Sequence, residues 1–173
     1  MVSPRAVVVG PPGSGKSTVG PLLAEHLGVG FRDADDDVVA AEGRSISDIF
    51  TTQGEAVFRT LEERSIATAL TEHGGVLSLG GGAVLSEATR ARLHGHVVVF
   101  LNVGMAVGVQ RVGLSTARPL LAGVNPRATY KELLDARLPV YREVATIEVA
   151  TDDRTPAEVV AAIAAELAAL PAD

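Results

Sequence analysis

Short apolar runs alternate along the chain with longer stretches in which apolar residues recur every three or four positions, and the two spacings separate strands from helices. Residues 6–9 are a β-branched run closed by Gly10, the pattern of a strand covered on both faces, as in a parallel sheet. Residues 17–27 place Val19, Leu22, Leu23 and Leu27 at helical spacing before a stop at Gly28. Residues 29–32 fit a short second strand that leads into Asp33, Asp35, Asp36 and Asp37 and a helix to about residue 41. A short helix at 45–50, with Ser45 or Ser47 near its cap, precedes a longer one at 54–73 with Val57, Leu61, Ile66, Ala69 and Leu70 inward. The buried strand 76–79 delivers the chain to Gly80-Gly81-Gly82, where small residues let a ligand approach the backbone. A helix at 86–93, a central strand at 96–101 and a helix at 105–112 come next. Residues 113–125 mix Gly, Ser, Thr, Pro and Asn without a period and read as a lid-like loop. A helix at 126–138, a strand at 147–150 and a final helix opening on the capping-box sequence Thr155-Pro156-Ala157-Glu158 complete the order.

Strands alternating with helices, with no internal repeat or linker, predict one α/β domain over residues 1–173. Three layers are expected, a mostly parallel five-stranded central sheet lying between helices. A hydrophobic share of 47% in 173 residues supplies enough apolar material for one core. Every apolar run is broken before the roughly 20 residues that cross a bilayer, so no membrane association is expected. The amino terminus reaches Gly10, Pro11 and Pro12 before a secretory-type core could form, which predicts a cytoplasmic protein. Having no cysteine, the chain has no disulfide, thiolate metal site or cysteine nucleophile. The net charge of −6 argues against a nucleic-acid surface, so any anion site must be local. His26, His73, His94 and His96 show no spacing typical of a metal pair and read as structural.

Gly10-Pro11-Pro12-Gly13-Ser14-Gly15-Lys16-Ser17 matches the GxxxxGK[ST] pattern between a predicted strand and a predicted helix. In that context backbone amides turn onto phosphate oxygens, the helix adds its positive end, and Lys16 bridges the outer phosphates. The Ser17 hydroxyl is then a magnesium ligand, and a purine triphosphate is the expected occupant. Strand 76–79 ends in Gly80 rather than in the aspartate that often holds the metal's water shell. Asp33 or Asp35, emerging at the carboxyl edge of the sheet, is the nearest source of that acid. Asp36 and Asp37 read instead as a solvated helix start.

Further segments accompany the cradle: Asp33-Ala34-Asp35, Gly43-Arg44-Ser45-Ile46 with Ile49-Phe50, Phe58-Arg59 with Glu62, Leu79 to Ala83, Arg118-Pro119-Leu120-Leu121, and Arg137 with Tyr141-Arg142. With them, nearly the whole chain resembles shikimate kinase, a small member of the nucleoside-monophosphate-kinase group of P-loop folds. The resemblance implies phosphoryl transfer from MgATP to the 3-hydroxyl of shikimate. It assigns shikimate to Asp35, Arg59, Gly80, Gly81, Gly82 and Arg137, walled by Phe50 and Phe58, within an acceptor segment at about 34–62. Arg59 and Arg137 would form a planar fork for the substrate carboxylate, Glu62 would orient Arg59, and Asp35 would accept from the hydroxyl. ATP is assigned to Gly13, Ser14, Gly15, Lys16, Ser17 and Thr18, with Arg118 of the lid closing on the phosphates and Arg111, Arg154 and Pro156 packing adenine. Lys16, Asp35 and Arg118 are the expected catalytic residues, Ser17 the direct magnesium ligand and Asp33 its partner through water. The protein is expected to act as a monomer.

Ala34 stands where a hydroxyl residue is usual in that family, and Gln110 where a second basic residue is frequent. Gluconate and adenylylsulfate kinases share the cradle without this arginine and triple-glycine set. A nucleotide-binding module that had lost catalysis would have no use for a carboxylate fork beside a hydroxyl acceptor.

Overall fold

The computed structural model describes residues 2–113 and 125–171. Five strands, β1 (Ala6–Val9), β2 (Phe31–Asp33), β3 (Val76–Ser78), β4 (Val98–Asn102) and β5 (Ile147–Ala150), form one sheet in the order β2-β3-β1-β4-β5. Every pairing is parallel, so all strand ends that bear functional loops open on one edge. The expected central strand β4 takes an inner position, while the middle of the sheet belongs to β1, whose end becomes the phosphate loop.

Alternation within β1 explains the two cores. Val7 and Val9 face one side with Leu77, Leu79, Val98 and Phe100; Ala6 and Val8 face the other with Val76, Val99 and Leu101. Helices α1 (Lys16–Leu27) and α8 (Pro156–Ala169) cover the second side, and α4 (Glu55–Glu72), α5 (Glu87–Leu93) and α7 (Pro126–Val144) the first. A third small cluster, Val38, Ile49 and Phe58, joins α2 (Ala34–Glu42) and α3 (Ile46–Gln53) to α4 as a separate wall beyond the sheet edge. The capping box at Thr155 and Glu158 forms as expected and stabilises the start of α8 by about 1 kcal/mol.

Three helix expectations need correction. Leu22 and Val57 point outward, because α1 and α4 bury narrower stripes than their apolar content suggests. Helix α7 continues beyond residue 138 to Val144, passing through Pro139. Tyr141 lies on its buried side and stacks on Phe100 with ring centroids 4.9 Å apart, packing that outweighs the lost backbone bond. Most of the expected lid, with Arg118, lies outside the described residues. No described helix is long and apolar enough to cross a membrane.

Candidate active site

The phosphate loop is shaped by where its carbonyls go. Gly10 O accepts from Lys16 Nζ at 2.6 Å, and Pro11 O from the same ammonium and from Ser14 N, both at 3.1 Å. Pro12 O accepts from the Tyr130 hydroxyl at 2.6 Å and Gly13 O from Arg111 Nη1 at 2.9 Å. Four successive carbonyls are thus held by donors, and positive φ at Gly13 and Gly15 makes the reversal into α1 possible without side-chain strain. Thr18 N and Val19 N donate to Gly15 O at 3.1 and 2.8 Å as α1 begins, and the positive end of that helix suits an anion.

Gly13, Gly15, Lys16, Ser17 and Thr18 line a cavity of about 330 Å³ together with Asp33, Asp35, Gly80 and Arg111. Ser14 does not line it: its side chain is buried under the loop and its N–H is given to Pro11. Arg111 also reaches Thr151 Oγ1 at 3.3 Å and so fastens the loop to the end of β5. Arg154 and Pro156, assigned to adenine, are exposed just beyond and line neither this cavity nor its neighbour.

A second cavity, of about 350 Å³, lies between the sheet edge and the α2 to α4 wall. Phe50 and Phe58 form an aromatic side with ring centroids 4.9 Å apart, and Val39 and Ile46 add aliphatic surface. The Gly80-Gly81-Gly82 turn forms its floor, and each glycine faces a different charged group. A Cβ at Gly80 would lie 2.8 Å from Asp35 Oδ1 and 2.9 Å from Glu62 Oε2; one at Gly81 would lie 3.4 Å from Arg137 Nη1; one at Gly82 would fall 2.7 Å from Arg59 Cζ. Glycine at 80 and 82 leaves room for Asp35, Glu62 and Arg59 against this turn, and Arg137 approaches it at Gly81. Glu62 holds Arg59 at 2.9 Å, as expected from their spacing. Arg137 is buried, and its Nη1 has no hydrogen-bond partner among the described residues, a donor suited to an incoming acid.

Electrostatics follow burial. Glu62 is pushed up to about 7, chiefly by desolvation and despite the pull of Arg59. Asp33, which caps α2 by accepting from Asp35 N at 2.8 Å, is raised to about 6 by desolvation and by the neighbouring Asp35 charge. Asp36 is exposed, as a solvated helix start requires, whereas Asp37 is half-buried in an ion pair with Arg32 at 2.8 Å. His73, whose Nε2 lies 3.0 Å from Val76 O, is structural.

Asp35 and Gly80 line both cavities, so the two meet at a carboxylate. Residues 12–168 match the family model described as shikimate kinase. The chain belongs to the shikimate kinase family. It is 70% identical to a shikimate kinase of Saccharopolyspora erythraea over 90% of this chain and 89% of that protein. It is 58% identical to one of Streptomyces avermitilis over 94% of this chain and 95% of the relative. A solved shikimate kinase from Acinetobacter baumannii in complex with shikimate superposes with a TM-score of 0.90 at 34% identity, covering 95% of this chain and 92% of that one. Membership of this family makes the chain a kinase, with ATP as a substrate and a small molecule as acceptor.

Some contributors were not legible as site residues. Pro12 lines the acceptor cavity from within the phosphate loop, and Ser45 and Ser47 from the start of α3, although the sequence offered them only as loop and cap. Tyr130 and Tyr141 reach loop carbonyls from α7 across 118 and 60 residues of chain, for which no local pattern exists.

Proposed function

We propose that this chain transfers the γ-phosphoryl group of ATP to the 3-hydroxyl of shikimate. The reading rests above all on the meeting of a glycine-rich phosphate cavity with a half-apolar cavity at Asp35 and Gly80, where a hydroxyl and a terminal phosphate would face each other. Phe50 and Phe58 suit the carbon face of a small ring, and Arg59 and Arg137 its carboxylate. Asp35 orients the acceptor hydroxyl and takes its proton as the new bond forms. Lys16 exchanges its loop carbonyls for the migrating phosphoryl oxygens and stabilises their charge, while Arg118 adds a second cation from the lid.

The residues present fit magnesium. Ser17 and Asp33 line the same phosphate cavity, and Asp33 sits half-buried beside a second acid. No described cluster of three His, Asp or Glu residues could hold a metal ion by itself, so such an ion would take most of its oxygens from phosphate and water. When bound, it neutralises triphosphate charge. Ser17 would ligate it directly and Asp33 through water. Both cavities are lined by described residues of one chain, which supports a monomer as the working unit.

A coupled assay with MgATP and shikimate tests the proposal. ADP release should depend on shikimate, and Arg59→Ala and Arg137→Ala should each raise the KM for shikimate about tenfold or more, as expected for loss of a charge-assisted fork. Unaltered shikimate affinity in both variants would overturn the acceptor site.

A further inference from the structure

Helix α7 touches both cavities through one face. Tyr130, Arg137 and Tyr141 are spaced by seven and four residues, which at 100° per residue brings them within about 40° of one another, over roughly 16 Å of helix. All three are buried, with exposures of 0%, 6% and 1%. The middle one lines the acceptor cavity. The outer two do not touch either cavity; each gives its hydroxyl to the backbone of a loop that does. Tyr130 holds Pro12 O of the phosphate loop at 2.6 Å, and Tyr141 holds Gly81 O of the glycine turn. The two loops also approach each other, since a Cβ at Gly81 would lie 3.1 Å from Pro12 Cδ.

The surroundings favour fixed hydroxyls over incidental ones. Burial pushes the Tyr130 phenol well above its usual range, so it stays a donor throughout the working pH. Access for its ring depends on Gly108 of α6 (Met105–Gly113): a Cβ there would lie 2.5 Å from Tyr130 Cζ. Gly108 O in turn would be 2.8 Å from a Cβ at Gly13, so α6, Tyr130 and the phosphate loop are packed against one another without slack.

We propose that Tyr130 and Tyr141 are positioning residues that use α7 as a strut, one setting the phosphate loop and the other the glycine turn, so that phosphoryl donor and acceptor meet in line. The inference rests on the kinase reading above. It assigns each tyrosine to a different substrate, which a purely structural role does not. A hydroxyl that merely supports the fold lowers stability without preference for either ligand, whereas loss of a loop anchor loosens the one site that the loop builds.

Tyr130→Phe and Tyr141→Phe are to be compared with the wild type in steady-state kinetics, in calorimetric titrations with ADP and with shikimate separately, and in thermal melts. Tyr130→Phe should weaken ADP binding and raise the KM for ATP about fivefold, while shikimate affinity stays within about twofold. Tyr141→Phe should show the reverse pattern. Gly108→Ala, whose methyl group would clash with the Tyr130 hydroxyl oxygen and so displace ring and hydroxyl together, should reproduce the nucleotide-side defect and serves as the test if Tyr130→Phe does not fold. Lowered melting temperatures with both affinities unchanged, or with both lost equally, would overturn the strut. A wild type that binds both ligands but transfers no phosphoryl group would instead sink the functional reading, leaving the paired affinity shifts to decide the anchors.

Discussion

The phosphate cavity and the acceptor cavity share a wall yet are built by opposite means. The first takes five of its twelve lining residues from one stretch, residues 13–18, and its character lies in the main chain: two glycines at positive φ, carbonyls tied back, and a helix start. The second gathers Pro12, Asp35, Phe58, Arg59, Gly80 and Arg137 from distant parts of the chain, and its character lies in side chains. Phosphate is a compact anion that generic N–H dipoles can hold. A ring with a carboxylate on one side and hydroxyls on the other needs charges of both signs at set places, which only long-range packing can supply.

The largest effect should come from the phosphate side. Lys16→Ala removes the one cation within the loop and should raise the barrier by about 3 kcal/mol, a loss of about 100-fold in kcat, with shikimate binding little changed. Near-normal turnover would break the assignment of the cradle. On the acceptor side Gly80→Ala is the sharper probe. Its methyl group would crowd Asp35 and Glu62 where the two cavities join. A fall of about tenfold or more in kcat/KM is expected, with a stability loss of about 1–3 kcal/mol from overpacking. An unimpaired variant would mean that these carboxylates do not form the junction.

Acidity gives a third and smaller contrast. Glu62 titrates near 7 and Asp33 near 6 in the folded chain, both above their ordinary values of 4.5 and 3.8. Between these limits the folded chain retains protons that the unfolded chain has released. The ligand-free protein should therefore be most stable below about pH 4 with respect to these two groups, and lose about 1–3 kcal/mol as pH rises through 7. Melting temperatures across pH 5 to 8 check this, and Glu62→Gln should flatten the slope; an unchanged slope would remove Glu62 as its source. Smallest of all, Arg154→Ala should change the KM for ATP by about twofold or less, since the side chain is exposed and lines neither cavity. A tenfold rise would restore it to the adenine site.

Legibility followed the same divide. The cradle was readable because its spacing is its geometry, from Gly10 to Ser17. The order of strands and helices was readable because burial imposes periods of 2 and 3.6 on the apolar residues. Arg59 and Glu62 were legible as a pair because one helical turn separates them. Arg137 could be placed in the site only through resemblance, since no local pattern marks a buried arginine 55 or more residues from the glycine turn it faces. Val57 was misjudged because an apolar residue in a helix need not lie on its buried stripe.

By itself the sequence determined a three-layered α/β chain, a triphosphate-binding loop and, through its assembled motifs, a kinase family. Tertiary structure alone decided that Asp35 and Gly80 close both cavities, that each glycine of the turn faces a different charge, and that α7 holds two loops by buried tyrosines. The reason is physical: the backbone's own periods and the turn chemistry of a loop act over a few residues, whereas the meeting of groups from distant parts of the chain is fixed only when close packing leaves them nowhere else to go.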